Sequence, residues 1–181
     1  KAIHILQINR NVWDTLNLET ESTSTTSKYK KYLDAVPGYE VIIKTVTVDQ
    51  FMRDFYEKYK GQTELGLEEY SHKYFNEYQI QAPTATNPTG VIGVNMLVLG
   101  FGDDFSAMED LGTEDVPGNP EMGQSAIKAV KYFMESEKPV LLTHDFITFR
   151  SDANQARYLR DTVGMDRYGV TCNVTKETLS D

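Results

Sequence analysis

VNMLVLGF, residues Val94–Phe101, is a nearly unbroken apolar run that ends on the glycine turn Gly100-Phe101-Gly102. A run apolar on both sides of the pleat reads as a strand covered on both faces, the habit of a parallel sheet rather than of an exposed antiparallel one. Toward the N-terminus, Tyr39–Val48 (YEVIIKTVTV) is a second such run, β-branched and partly alternating. Ala2–Ile8 (AIHILQI) opens the chain as a third, ended by the polar Asn9-Arg10-Asn11. Toward the C-terminus, Val140–Thr143 follows Pro139 as a short buried strand, and Gly169–Val174 reads as the last one.

Between these runs the period changes to that of helices. Tyr29, Leu33 and Val36 fall on one helical face, closed by Pro37-Gly38. Met52, Phe55, Tyr56 and Tyr59 follow the i, i+3, i+4, i+7 spacing, with Gly61 as the stop. Asn119-Pro120 has the form of an N-cap and first-turn pair, and the helix it opens aligns Met122, Ala126, Val130 and Phe133. Ser151 or Asp152 caps a further helix through Ala156, Leu159 and Val163, closed by Gly164. Strand and helix alternate, so the expected fold is α/β: a three-layer, open, mostly parallel sheet of about five or more strands with helices on both faces. No internal repeat is visible. Residues 61–93 fit this alternation least well. Glu64–Tyr78 reads as an acidic, aromatic-rich helix and Ala82–Gly90 as a loop with two prolines, together an insertion or extended excursion within one domain spanning 1–181.

Bulk properties bound the function. A chain of 181 residues, 40% hydrophobic and 25% charged, is long enough for one domain with a real core. A formal charge of −9 argues against a nucleic-acid partner. The tight basic group Lys28, Lys30 and Lys31 reads as a solvated helix face. No apolar run approaches the length of a membrane span, so no membrane insertion is expected. The single Cys172 excludes an internal disulfide and any multi-cysteine zinc site, and reads as a small buried hydrophobe. The chain opens on Lys1 rather than Met, which suggests a piece of a larger protein.

In an open parallel sheet, ligands bind beyond the carboxyl ends of the strands, where the strand order reverses. The first strand delivers Gln7, Asn9, Arg10 and Asn11 to that edge; the third delivers Gly100, Gly102, Asp103 and Asp104; the fourth delivers Thr143, His144 and Asp145. Three readings of this cluster stand side by side. Asp103 and Asp104 could simply cap the following helix, with His144 and Asp145 satisfying local backbone groups. Asn9, Arg10, Asp103, Asp104, His144 and Asp145 could instead bind a polar ligand. Asp104, His144 and Asp145 could also hold a divalent metal, or His144 could act as a general base beside a carboxylate. Gly100-Phe101-Gly102 lacks the third glycine of a dinucleotide loop, and the two acids after it would repel a pyrophosphate. That counts against a cytosolic flavin- or nucleotide-binding role, and no cofactor is expected. Trp13 with several of the eleven tyrosines reads as core rather than a sugar platform. His4 reads as a satisfied core histidine and His72 as solvated.

Two segments carry a family resemblance. Asn95–Asp103 (NMLVLGFGD) resembles the strand and glycine turn before the middle helix of class I glutamine amidotransferase-like proteins. Lys138–Asp145 (KPVLLTHD) resembles that family's strand into the nucleophile elbow, Lys-Pro-Val-Leu-Gly-Ile-Cys-x-Gly. Alignment on Pro139 sets His144 at the cysteine, Leu142 at a glycine and Phe146 at the glycine beyond, and no His-x-Glu pair follows. The resemblance implies a flavodoxin-like fold and a degenerate, non-catalytic member. An imidazole cannot form the thioester that covalent amide hydrolysis requires. Domains of this kind occur in large bacterial surface or secreted proteins, and Leu159-Arg160-Asp161 and Asp166-Arg167-Tyr168-Gly169 are similar to segments of such domains. The implied role is a binding or structural module, extracellular or at the cell surface (cytoplasmic as the alternative), whose partners are a carbohydrate-type or other polar small molecule and the other domains of a parent protein. The competing role is a hydrolase using His144 with Asp145 or Asp104, with or without a metal, on a sugar ester or amide.

Overall fold

The computed structural model describes residues 1–9, 18, 32–99, 120–142 and 159–163. β1 (Ala2–Asn9) takes the centre: it pairs in parallel with β2 (Glu40–Thr47) on one side and with β5 (Met96–Leu99) on the other. β6 (Val140–Leu142) adds to β5, also in parallel, giving the order β2-β1-β5-β6. A separate hairpin joins β3 (Gln79–Gln81) to β4 (Val91–Ile92).

Alternation sorts the sheet into two faces. Leu6 and Ile8, Leu97 and Leu99, and the partly buried Val140 and Leu142 share one core with three helices, α1 (Val48–Lys60), α2 (Leu67–Glu77) and α3 (Pro120–Glu135). Leu159, just before the short α4 (Arg160–Val163), joins them. Ile5, Val41, Ile43 and Val98 face the other way, where Leu18 and Leu33 cover them. The chain moves one way across the sheet from β1 to β2 and the opposite way from β2 through β5 to β6. Crossovers of a single hand must then lie on opposite faces. Leu18 and Leu33 lie on the first connection, and α1 and α3 on the later ones, as that rule requires.

α1 starts with no loop at all. Thr47, the last residue of β2, is also its N-cap: Thr47 Oγ1 accepts from the Gln50 N–H at 3.0 Å, and Gln50 Oε1 accepts from the Thr47 N–H at 2.9 Å. This reciprocal pair satisfies two donors that a helix start would otherwise strand. It also moves Val48, expected as the end of the strand, into the first turn of the helix. The helix buries Val48, Phe51, Met52 and Phe55 and ends at Gly61, as expected.

Residues 61–93 contribute to the core. α2 buries Tyr70, Tyr74 and Phe75, and Phe75 stands with Phe51 and Phe133 at ring-centroid separations of 6.1 and 4.8 Å. Two helices thus meet a third through rings, each buried ring worth about 1.5–3 kcal/mol by removal from water. His72, expected in solvent, is half-buried with its ring near Tyr132. After α2, Gly90 (φ +67°) closes the hairpin; a Cβ there would come within 2.3 Å of the Gln81 carbonyl oxygen. His4 is satisfied as expected, with Nδ1 donating to the Gly93 carbonyl at 3.0 Å. Lys138 spans the same end of the molecule. Its Nζ donates to Asn76 Oδ1 at 2.7 Å and to the Val94 carbonyl at 3.2 Å, and burial holds its pKa below the ordinary lysine value.

This core can be tested at two of its rings. Phe75→Ala should cost about 3–5 kcal/mol, as large a loss as Phe55→Ala, measured as a shift in the urea midpoint. A loss near zero would show that α2 is dispensable. The second concerns Tyr74, whose hydroxyl donates to Asp54 Oδ2 at 2.7 Å, a carboxylate also held by Lys58. Burial first, and that hydrogen bond second, hold its pKa far above the ordinary 10.0. The folded protein keeps a proton that the unfolded chain releases, so this stabilisation is complete below about pH 10 and declines above it. Urea midpoints taken through the alkaline range should fall less steeply in Tyr74→Phe than in the parent.

Candidate functional site at the carboxyl ends of the strands

The strands expected to frame a site run side by side. Ile8 pairs with Leu99 and Leu99 with Leu142, so the described carboxyl-terminal parts of β1, β5 and β6 are in register, and Asn9 is the next residue of β1. Strand order reverses between β1 and β5, the position where an open parallel sheet leaves a crevice.

Of the residues expected to bind ligand, Asn9 is the one the structure places. Arg10, Asp103, Asp104, His144 and Asp145 lie outside the described residues, as do Asn11, Gly100, Gly102, Thr143, Trp13 and Cys172. The three readings of the His144 cluster therefore rest on sequence. Among the described residues, no group of three or more His, Cys, Asp and Glu side chains is close enough to hold a metal ion.

The second face of the sheet changes character along its length. At the amino ends it is apolar, with Ile3, Ile5, Val41, Ile43, Met96 and Val98. At the carboxyl ends the same alternation presents Gln7 and Asn9 on β1, opposite Thr45 and Thr47 on β2. Gln7 is wholly buried, and its Oε1 accepts both the Leu18 N–H at 2.8 Å and the Thr45 hydroxyl at 3.0 Å. One carboxamide oxygen thereby ties the chain after β1 back onto the sheet and joins β1 to its neighbour. Thr47 is occupied in capping α1.

Asn9 differs. It is only 5% exposed, and its Oδ1 is enclosed with no hydrogen-bond partner, the single side-chain atom in that state among the described residues. An enclosed acceptor without a donor costs about 1–3 kcal/mol, so folds retain very few of them. Thr45 and Thr47 were not expected at this edge. Thr47 had a legible signal, the Thr-x-x-Gln spacing of a capping box; Thr45 becomes a neighbour of Gln7 only through the strand register.

Among the described residues no helix is long and apolar enough to cross a membrane. Comparison with protein-family models, with curated proteins and with solved structures finds no match for this chain.

The two carboxamides should respond oppositely to the same change. Gln7→Leu strands the Leu18 N–H and the Thr45 hydroxyl and should cost about 2–4 kcal/mol. Asn9→Leu removes a penalty and should be neutral or stabilising by up to about 1 kcal/mol, which for a chain of this size is roughly 2–4 °C in Tm. Calorimetric melting of both variants checks this, and an Asn9→Leu loss as large as that of Gln7→Leu would contradict it.

Proposed function

We propose that this chain is a flavodoxin-like α/β domain, akin to the class I glutamine amidotransferase-like group but without its cysteine. In this reading it serves a larger bacterial surface or secreted protein as a non-catalytic binding or structural module, and takes a carbohydrate-type ligand at the carboxyl ends of its strands. The observation that carries the binding role is the enclosed, partnerless Oδ1 of Asn9, sited where the strand order reverses. A folded chain has no structural use for an acceptor held in that condition, whereas a bound group that donates to it removes the penalty.

The sheet itself supports the fold assignment. Counted within the main sheet, the strand order is second, first, third, fourth, the arrangement of flavodoxin-type domains. Gly169–Val174 would extend it as a fifth strand. The helix expected through Leu33 to Val36 stops short of its full length: the helical turn covers residues 32–34, Leu33 packs on the second face, and Val36 stands 45% exposed in the bend beyond it. The absence of chemistry rests on the turn after β6, where the resemblance sets His144 in place of the nucleophilic sulfur.

Isothermal titration against neutral mono- and oligosaccharides, run beside a panel of nitrophenyl sugar esters and anilides, tests the reading. Saturable binding without turnover is expected. Turnover that disappears in both His144→Ala and Asp145→Ala would replace the module with the hydrolase. Neither binding nor turnover would leave only a structural role.

A further inference from the structure

The outer edge of β2 carries an inference independent of the ligand reading. Among the described residues β2 ends the sheet, with β1 on one side and no strand on the other. One bond fixes which way its backbone faces. The Glu40 N–H donates to the Lys1 carbonyl, so Glu40, Ile42, Lys44 and Val46 turn their peptide groups toward β1. Val41, Ile43, Thr45 and Thr47 therefore turn theirs outward. Thr47 agrees with this phase, since its N–H donates to Gln50 Oε1 rather than to β1. The strand is eight residues long and consists of Val, Ile and Thr apart from Glu40 and Lys44, a composition that pairs readily. It has neither a proline nor a bulge to blunt it. On the face shared with α1, Ile42 and Val46 are only partly buried, whereas Leu6, Ile8, Leu97 and Leu99 on that face are wholly so.

We propose that this edge pairs with a second copy of the chain: the two β2 strands run antiparallel about a two-fold axis at Ile42, and the sheet continues from one copy into the other. Charge selects the register. An axis at Lys44 sets lysine on lysine, and an axis at Glu40 sets glutamate on glutamate, both repulsive. An axis at Val41 or Ile43 leaves each charge opposite an apolar residue or a glycine. An axis at Ile42 sets Glu40 of each copy opposite Lys44 of the other, at positions where antiparallel side chains stand closest. In that register Val41 exchanges both outward backbone bonds with Ile43 of the other copy, and Ile42 meets its own counterpart across the axis. A lysine within an edge strand ordinarily guards it against pairing. Here a glutamate four residues earlier on the same face turns that guard into a register mark.

Sedimentation equilibrium over about 1 µM to 1 mM reads the association, with circular dichroism confirming that each variant folds. A single strand edge makes a small interface, so a weak, reversible dimer is expected, monomeric at the low end of that range and mostly paired at the high end. Glu40→Lys and Lys44→Glu each turn two attractions into two repulsions and should weaken the dimer about tenfold. Combined in one chain they exchange the charges, and the parent affinity should return to within about threefold. A chain that stays monomeric at about 1 mM overturns the proposal. So does a dimer that is indifferent to the single reversals or is not regained in the exchange. Should either single variant fail to fold, oxidative cross-linking decides instead. In a Cys172→Ser background, Ile42→Cys sets two thiols across the axis with Cα atoms about 4.5–5.5 Å apart, within disulfide reach. Val46→Cys sets them roughly 27 Å apart by the strand rise. A disulfide-linked dimer from Ile42→Cys and not from Val46→Cys is expected; linkage in neither, or as readily through Val46→Cys, overturns the register and the proposal with it.

Discussion

β1 lies inside the sheet and is buried from Ile5 to Asn9, so a polar atom it carries there is stranded unless a donor or acceptor reaches it. Leu6 and Ile8 meet that constraint by being apolar. Gln7 meets it by spending its oxygen on two donors, one from residue 18 and one from β2. The remaining architecture follows from this strand. Its register sets β2 and β5, and the reversal of strand order about it divides the helices between the faces. Its last residue stands where that reversal opens the sheet.

The face carrying α1, α2 and α3 is held by rings. Phe51, Phe55, Tyr70, Tyr74, Phe75 and Phe133 lie within about 5–6 Å of one another as pairs, mostly tilted or edge-on. Such a core tolerates an unusual connection. Between β2 and β5 the chain makes two helices and a hairpin where a single helix would suffice, and the extra helix packs its rings against both α1 and α3. The polar links on the outside matter less. Glu121 joins Tyr56 and Lys60 across α1 and α3, and that contact holds the carboxyl below and the ammonium above their ordinary pKa values. Both charges remain in solvent, where such pairs contribute little.

Much of this was legible in the sequence, for a physical reason in each case. Short, β-branched apolar runs bounded by turn residues made β1, β2, β5 and β6 readable from Ala2–Ile8, Tyr39–Val48, Val94–Phe101 and Val140–Thr143. The full burial expected at Val140–Thr143 did not follow, because Leu141 of β6 is 45% exposed, and β5 begins only at Met96. The helix periods of Met52–Tyr59 and Met122–Phe133 were equally plain. Residues 61–93 were not, because α2 has charged and aromatic residues in nearly equal measure, and only its packing partners decide which side is inward. Asn9 was legible as a strand-end residue. That its oxygen would be enclosed was not, since enclosure depends on what the fold places around a residue and composition carries no trace of it. The cluster of Arg10, Asp103, Asp104, His144 and Asp145 remains a statement about order along the chain.

Gln7 and Asn9 make the strongest comparison in the molecule. They are the same chemical group, two residues apart, on the same strand and the same face, and the protein satisfies one and leaves the other wanting. Propensity cannot explain the difference, because both positions are extended and both are buried. Position can. Gln7 is far enough inside the sheet for residue 18 and Thr45 to reach it, whereas Asn9 stands at the rim, with Thr47 opposite already committed to the helix that begins there. A hydrophobic residue at the rim would have removed the penalty at no cost to the sheet. The carboxamide that stands there instead is best understood through what it can accept.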